Sequence, residues 1–117
     1  MKPALALAAL SLAACATASP PGPGMAEARF GDTVQVGRTT VRPVALVEDS
    51  RCPRPVACVW AGRVRIDAMV GKARRQLVAG EPVRVAGSSL LLAEVLPQKQ
   101  AGVAIAPADY RFRFRFT

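Results

Sequence analysis

The sequence predicts an all-β domain, a small antiparallel β-sandwich or Greek-key barrel of about seven strands with one disulfide. Short β-type runs alternate with turn signals, no βαβ pattern or long helical pattern is present, and the last seven residues before Thr117 alternate aromatic and arginine side chains. The domain is expected to span residues 29–117. Roughly ninety residues are enough to form one hydrophobic core.

The first predicted strands cover residues 34–36 and 39–48. Val34 and Val36 alternate with polar neighbours, and the second run is rich in valine but contains Pro43. Because proline lacks the N–H group that a ladder requires, we expect an edge strand or a β-bulge at this position.

The run 59–70 is the most regular of the predicted strands. Its even-numbered residues, from Trp60 to Val70, would face the core, whereas Arg63 and Arg65 would face solvent. A Gly-Lys turn at 71–72 then predicts a hairpin with residues 73–78.

Three further strands complete the predicted domain. Residues 83–85 form a short run, and 89–96 is apolar enough for a buried strand, although its leucines are also compatible with a helix. The C-terminal run 110–116 should supply the centre of the core, because its aromatic residues fall on one face and Arg111, Arg113 and Arg115 on the other.

The N-terminus is typical of an export signal. Lys2 precedes an apolar run at 4–14, which is shorter than the roughly 20 residues that span a bilayer. Leu12-Ala13-Ala14-Cys15 resembles the lipobox of bacterial lipoproteins, which implies removal of residues 1–14 and lipidation of Cys15. An ordinary signal peptide, cut after an Ala-x-Ala sequence, is the alternative.

Residues 15–28 are predicted to be a lipidated cysteine followed by a flexible Pro/Gly-rich tether. Two or three acyl chains would hold the protein to a membrane, since one chain alone binds only marginally. Ala16 stands where an Asp would retain the protein in the inner membrane, so the resemblance implies the outer membrane, facing the periplasm.

The chain is basic, with 16 Lys and Arg against 8 Asp and Glu, a formal charge of +8. This balance favours anionic envelope components or an acidic envelope protein as partners. Nucleic acid is not expected, because the export signal places the protein outside the cytoplasm. Genome-wide codon bias toward Ala, Arg, Gly and Pro is the alternative origin of the charge.

Cys52 and Cys58 are predicted to form a disulfide. Lipidation would commit Cys15, and exported proteins mature in an oxidising compartment where disulfides persist. The C-x5-C spacing differs from the C-x-x-C of redox enzymes, which favours a structural bond. Closing so short a loop stabilises a fold by about 2 kcal/mol.

The segment 49–62 resembles a motif of small, uncharacterised bacterial proteins that are secreted or lipid-anchored. Their pattern runs D-S-R-C-P, a few residues, C, an aliphatic residue, W, one residue and G. The closing segment 107–110 and the strand after it are similar to the ends of those proteins. The resemblance implies a β-rich extracytoplasmic domain and no activity. The residues of the motif in this chain are Asp49, Ser50, Arg51, Cys52, Pro53, Cys58, Trp60 and Gly62.

This motif is interpreted as a structural clasp. Trp60 would pack behind the disulfide loop, Gly62 would permit close backbone approach, and Arg51 would pair with Asp49 or Glu48. The alternative is that the loop is presented to a partner with Arg54, which lies between two prolines, as its anchor.

The function expected from the sequence is a non-catalytic binding or accessory domain without a cofactor. Histidine, the commonest general base and metal ligand, does not occur in the chain. The arginines at 63, 65, 111, 113 and 115 would form one basic surface if their strands shared a sheet face, or merely a solvated face. Inhibition of an envelope or host enzyme through the Cys52–Cys58 loop is the alternative function.

Overall fold

The computed structural model describes residues 24–117, and these form eight strands in two four-stranded antiparallel sheets. The all-β sandwich with one disulfide is thereby confirmed. The strands are β1 (Met25–Ala28), β2 (Val34–Val36), β3 (Thr39–Asp49), β4 (Val64–Val70), β5 (Ala73–Val78), β6 (Val83–Val85), β7 (Ser88–Leu96) and β8 (Arg111–Phe116).

One sheet has the order β1-β8-β7-β6 and the other the order β2-β3-β4-β5. The hairpin turn at 71–72 joins β4 to β5 as predicted, with Val70 opposite Ala73. The leucine-rich run forms strand β7 and not a helix. Its pairing partners β6 and β8 satisfy the backbone groups that a helix would have satisfied internally.

Strand β1 lies where the sequence predicted the tether. Met25 pairs with Arg115 and Ala28 pairs with Phe112, so the folded domain begins at least four residues before Arg29. The boundary at residue 29 is therefore wrong. The signal segment, Cys15 and the rest of residues 1–23 lie outside the described residues.

The core lies between the two sheets and is formed by the residues on the inward face of each strand. On β8, Phe112 and Phe114 are completely buried, and Phe30 packs edge-on against Phe112 with ring centroids 4.8 Å apart. On β4, every second residue from Val64 to Val70 is buried. These two strands carry the period-two pattern that the sequence predicted.

Proline 43 lies in an interior strand that bulges beside it. The β3–β4 register shifts between Pro43 and Ala45, and shifts again between Leu46 and Glu48. The Pro43 carbonyl accepts a hydrogen bond from the Gly31 N–H at 2.9 Å. The bulge prediction is therefore confirmed.

Strand β4 begins at Val64 and not at residue 59, so the predicted strand 59–70 is too long. Gly62 has a φ of +69°, which ends the extended conformation on its N-terminal side. Residues 59–63 consequently belong to the loop that contains the disulfide.

The sandwich has two distinct ends. The disulfide end consists of loops 50–63 and 97–110, which connect β3 to β4 and β7 to β8. The terminal end consists of Gly24, Thr117 and the tight turns at 37–38, 71–72 and 86–87. At the terminal end, the Phe116 N–H donates to the Gly24 carbonyl at 3.3 Å, so the described chain starts and finishes side by side.

Candidate functional site: a braced loop at the disulfide end

An ion pair between Asp49 and Arg51 forms the base of the disulfide loop. Arg51 Nε donates to Asp49 Oδ1 and Arg51 Nη2 donates to Asp49 Oδ2, each at 2.9 Å, so the contact is bidentate. Arg51 Nη1 also donates to the carbonyls of Val95 and Pro97, at 3.0 and 3.1 Å. One guanidinium therefore fastens the loop to the opposite sheet.

Tyr110 and Lys99 complete this cluster from the 97–110 loop. The Tyr110 hydroxyl donates to Asp49 Oδ2 at 2.7 Å, and Lys99 Nζ donates to the Asp49 carbonyl at 2.8 Å. The Asp49 side chain is only 6% exposed. Its two carboxylate oxygens accept four hydrogen bonds, counting a long one of 3.4 Å from the Arg51 N–H, so this buried charge is well compensated.

The pKa values of the cluster reflect this arrangement. Burial by itself raises the pKa of the Asp49 carboxyl, but the hydrogen bonds from Arg51 and Tyr110 and the charge of Arg51 outweigh it and lower that pKa to about 2. Burial and the bond to Asp49 raise the pKa of Tyr110 to about 12. The Asp49 hydrogen bond raises the pKa of Arg51. Neither carboxyl nor phenol titrates near neutral pH, so the cluster is suited to holding structure and not to moving protons.

Gly62 and Ser50 hold the two arms of the loop together. A Cβ atom on Gly62 would overlap the Ser50 carbonyl oxygen, so the close approach expected of this glycine is confirmed. The Ser50 N–H donates to the Arg63 carbonyl at 2.9 Å, and the Arg63 N–H donates to Ser50 Oγ at 3.0 Å. Beyond this closure the loop projects from the end of the sandwich.

The loop is braced at its tip as well as at its base. The predicted disulfide joins Cys52 and Cys58, whose Cα atoms are 5.9 Å apart. The Arg54 N–H donates to the Lys99 carbonyl and the Ala101 N–H donates to the Arg54 carbonyl, both at 3.0 Å. The backbone of Arg54 is thus fixed while its side chain is exposed.

Trp60 faces solvent, which corrects the prediction that it packs behind the disulfide. Its side chain is 70% exposed, and its neighbour Val59 is 95% exposed. Val56 and Val103, on the same two loops, are 50% and 58% exposed. Because Gly62 turns the chain before β4 begins, Trp60 is not in register with the buried residues of that strand.

The arginine rows do not form one surface. Arg63 and Arg65 lie just before and within β4, whereas Arg111, Arg113 and Arg115 lie on β8 in the other sheet. The condition for a shared basic face is therefore not met.

Carboxylates also neutralise part of each row. Glu48 accepts hydrogen bonds from Arg63 at 3.0 Å and from Arg65 at 3.3 Å, and the bond from Arg63 lowers the pKa of Glu48 most. On the other sheet, Arg113 bridges Glu27 and Glu94 at 3.1 and 3.2 Å. These pairs reduce the attraction of the rows for a polyanion.

The sequence pointed to Asp49, Ser50, Arg51 and Gly62, and the structure brings all four to the neck of the loop. The sequence alone did not reveal that Lys99 and the hydroxyl of Tyr110 are partners of Asp49. The available signal for this contact was that Tyr110 ends one of the two motif segments and Asp49 starts the other.

Within residues 24–117 no small-molecule cavity is found, and no group of three or more His, Cys, Asp or Glu residues is placed to hold a metal ion. No helix in this part of the chain has the length and hydropathy needed to cross a membrane. No protein-family model matches the sequence, and searches of curated proteins and of solved structures return no significant match.

Proposed function

We propose that the protein is a non-catalytic binding domain of the bacterial envelope, lipid-anchored through Cys15, whose contact surface is the disulfide end. The observation that carries the binding role is a solvent-exposed Trp60 on a loop braced at both base and tip. Tryptophan is enriched among the residues that dominate binding energy at interfaces. An exposed tryptophan loses its unfavourable contact with water when a partner covers it. Its exposure here therefore favours a binding role.

Preorganisation supports the same role. Association costs free energy when mobile loops and side chains become ordered, and a loop already fixed in shape avoids part of that cost. The disulfide, the Arg51 guanidinium and the backbone bonds of Arg54 fix this loop before any partner arrives. They leave the side chains of Arg54, Val56, Val59 and Trp60 free to make contacts.

Anchoring at Cys15 is supported by the resemblance of residues 12–15 to a lipobox and by the 49–62 motif of secreted bacterial proteins. The outer membrane, facing the periplasm, is the proposed location. Membrane fractionation and intact mass of the full-length protein test the anchor, with Cys15→Ser as the comparison. Release of the variant into the soluble periplasm supports it; a mature wild-type chain without added acyl mass contradicts it.

Crosslinking in cells tests which surface binds. Full-length tagged protein is compared with a Trp60→Ala/Arg54→Ala variant and with an Arg111→Ser/Arg113→Ser/Arg115→Ser variant. Loss of the crosslinked species in the first variant and retention in the second is expected. The reverse result would assign binding to the β8 arginines and would reject the disulfide end.

Enzyme inhibition is the second candidate, and it is favoured by the position of Arg54 between two prolines on the fixed loop. A rigid, protruding loop can occupy the cleft of an enzyme without being reshaped. If the captured partner is an enzyme, its turnover should fall on addition of the wild-type protein and recover with Arg54→Ala. Unchanged turnover at saturating protein would leave binding without inhibition.

A further inference from the structure

The chain joins the domain at the end opposite the braced loop. Gly24 hydrogen-bonds to Phe116, and Met25 pairs with Arg115, so residues 1–23 connect at the terminal end. Strand β3 runs between the two ends, from Thr39 beside the turn at 37–38 to Asp49 at the base of the loop. The proposed anchor at Cys15 and the loop that carries Trp60 are therefore attached to opposite ends of the sandwich.

Chain length limits how this loop can meet the anchoring membrane. From Cys15 to Gly24 the chain advances nine residues, which reach roughly 30 Å when fully stretched. The eleven residues of β3 span roughly 35 Å at the usual rise of a strand. The loop could touch the anchoring leaflet only if the domain lay flat on the membrane or this segment ran back along the domain. When the domain stands upright on its connection, the loop faces away from that leaflet.

The charge of the loop indicates which kind of chemical group it would bind on the side away from the membrane. Residues 51–62 contain no carboxylate, and their two charged residues are Arg51 and Arg54. Asp49 neutralises Arg51, whereas no carboxylate within the described part of the chain forms a salt bridge with Arg54. A guanidinium in this position can be paired by a carboxylate or a phosphate that accepts two parallel hydrogen bonds.

The apolar side chains narrow the class of partner further. Val56, Val59 and Trp60 accompany Arg54, the single exposed cation within residues 51–62. A polyanionic polymer is bound by many cations, which displace the counterions condensed on the polymer, whereas residues 51–62 expose only Arg54. A protein cleft with apolar walls and a carboxylate at its rim would bury the indole and pair the arginine.

We infer that the disulfide end docks into an apolar, carboxylate-rimmed cleft of a second envelope protein, on the side facing away from the membrane that holds Cys15. This inference rests on the proposed function and adds to it the direction and the chemical class of the partner. Trp60 supplies the buried anchor and Arg54 supplies the charge that selects the cleft.

The test places a photoreactive amino acid at Val59 of the full-length protein in cells, with the same residue at Lys72 as the matched control. Both positions are exposed, the first at the disulfide end and the second at the terminal end. The captured protein is then purified and titrated with the wild-type protein and with Trp60→Ala, Arg54→Ala and Lys72→Ala. In parallel, vesicles of anionic phospholipid are titrated while the fluorescence of Trp60, the single tryptophan of the chain, is followed.

The expected result is one protein captured from position 59 and not from position 72. Its dissociation constant should rise at least tenfold with Trp60→Ala and with Arg54→Ala, should stay unchanged with Lys72→Ala, and should rise with salt. Lipid adducts at position 59, with a blue shift of Trp60 on vesicles and no captured protein, would overturn the inference while retaining the disulfide end as the contact surface. Capture only from position 72, or from neither position, would overturn both the inference and the proposed function.

Discussion

The hydroxyl of Tyr110 donates a 2.7 Å hydrogen bond to the carboxylate of Asp49, across 61 positions of sequence. Asp49 ends β3 in one sheet and Tyr110 immediately precedes β8 in the other. The bond therefore joins the two sheets at the point where the disulfide loop leaves the sandwich. The chain contains one tyrosine, so this contact can be followed by spectroscopy without interference from another phenol.

Phenolate absorbance of the folded protein should titrate with a midpoint near pH 12, because burial and Asp49 raise the pKa of Tyr110 from 10.0 to about 12. The folded pKa lies above the unfolded value, so the stability contributed by the neutral phenol is complete below pH 10 and is lost as the pH rises toward 12. Asp49→Asn should lower the midpoint. A wild-type midpoint near 10 in folded protein would contradict the contact.

Acid should weaken the fold through Asp49. Its folded pKa of about 2 lies below the ordinary 3.8, so the stability that it contributes is present above pH 4 and is lost as the pH falls from 4 to 2. The contribution at neutral pH is on the order of 2 kcal/mol. Urea melts at several pH values should show this loss in the wild type and in Asp109→Asn, whose side chain is exposed. A parallel acid loss in Asp49→Asn would assign it to other carboxylates.

Gly62→Ala should destabilise the fold through a backbone overlap that adds to the strain of a positive φ. Gly102 has a similar φ of +75° with no atom within 4 Å of an added Cβ, so Gly102→Ala measures the strain alone. The control should cost about 1 kcal/mol. Gly62→Ala should exceed the control by about 2 kcal/mol, because the Ser50 carbonyl must move. Equal free energies of unfolding for the two variants would show that the loop neck can relax.

Replacing both cysteines of the disulfide should loosen the loop and leave the sandwich folded. The Cys52→Ser/Cys58→Ser variant should lose about 2 kcal/mol, the value for closing a loop of this size. Arg51 would still tie the base of the loop to the Val95 and Pro97 carbonyls. Chemical denaturation should show a single cooperative transition, while partner binding falls because the loop must be ordered on association. Unchanged binding by the variant would mean that the loop is preorganised without the disulfide.

Sequence pattern located seven of the eight strands, because period-two alternation is a local property. Strand β1 was missed because Met-Ala-Glu-Ala has no β-branched or aromatic residue. Its strand conformation depends on pairing with β8, at the other end of the chain. Which strands share a sheet is equally non-local, and so the arginines of β4 and β8 could not be assigned to separate sheets in advance.

Part of the candidate site could be predicted from the sequence. The Asp49–Arg51 pair, the disulfide and the Gly62 approach involve neighbours in one short segment, and all three were predictable from it. The exposure of Trp60 was not predictable, because the alternating pattern continues across Gly62 although the strand does not.

The hydrogen bond between Gly24 and Phe116 holds the two ends of the domain close enough for insertion into another protein. A protein module whose first and last residues adjoin can be spliced into a surface turn of a host protein with short linkers and without unfolding either partner. Spliced in this way, the domain would stand on the host by its two closely spaced ends. Trp60 would then lie at the end of the inserted domain that is farthest from the host protein.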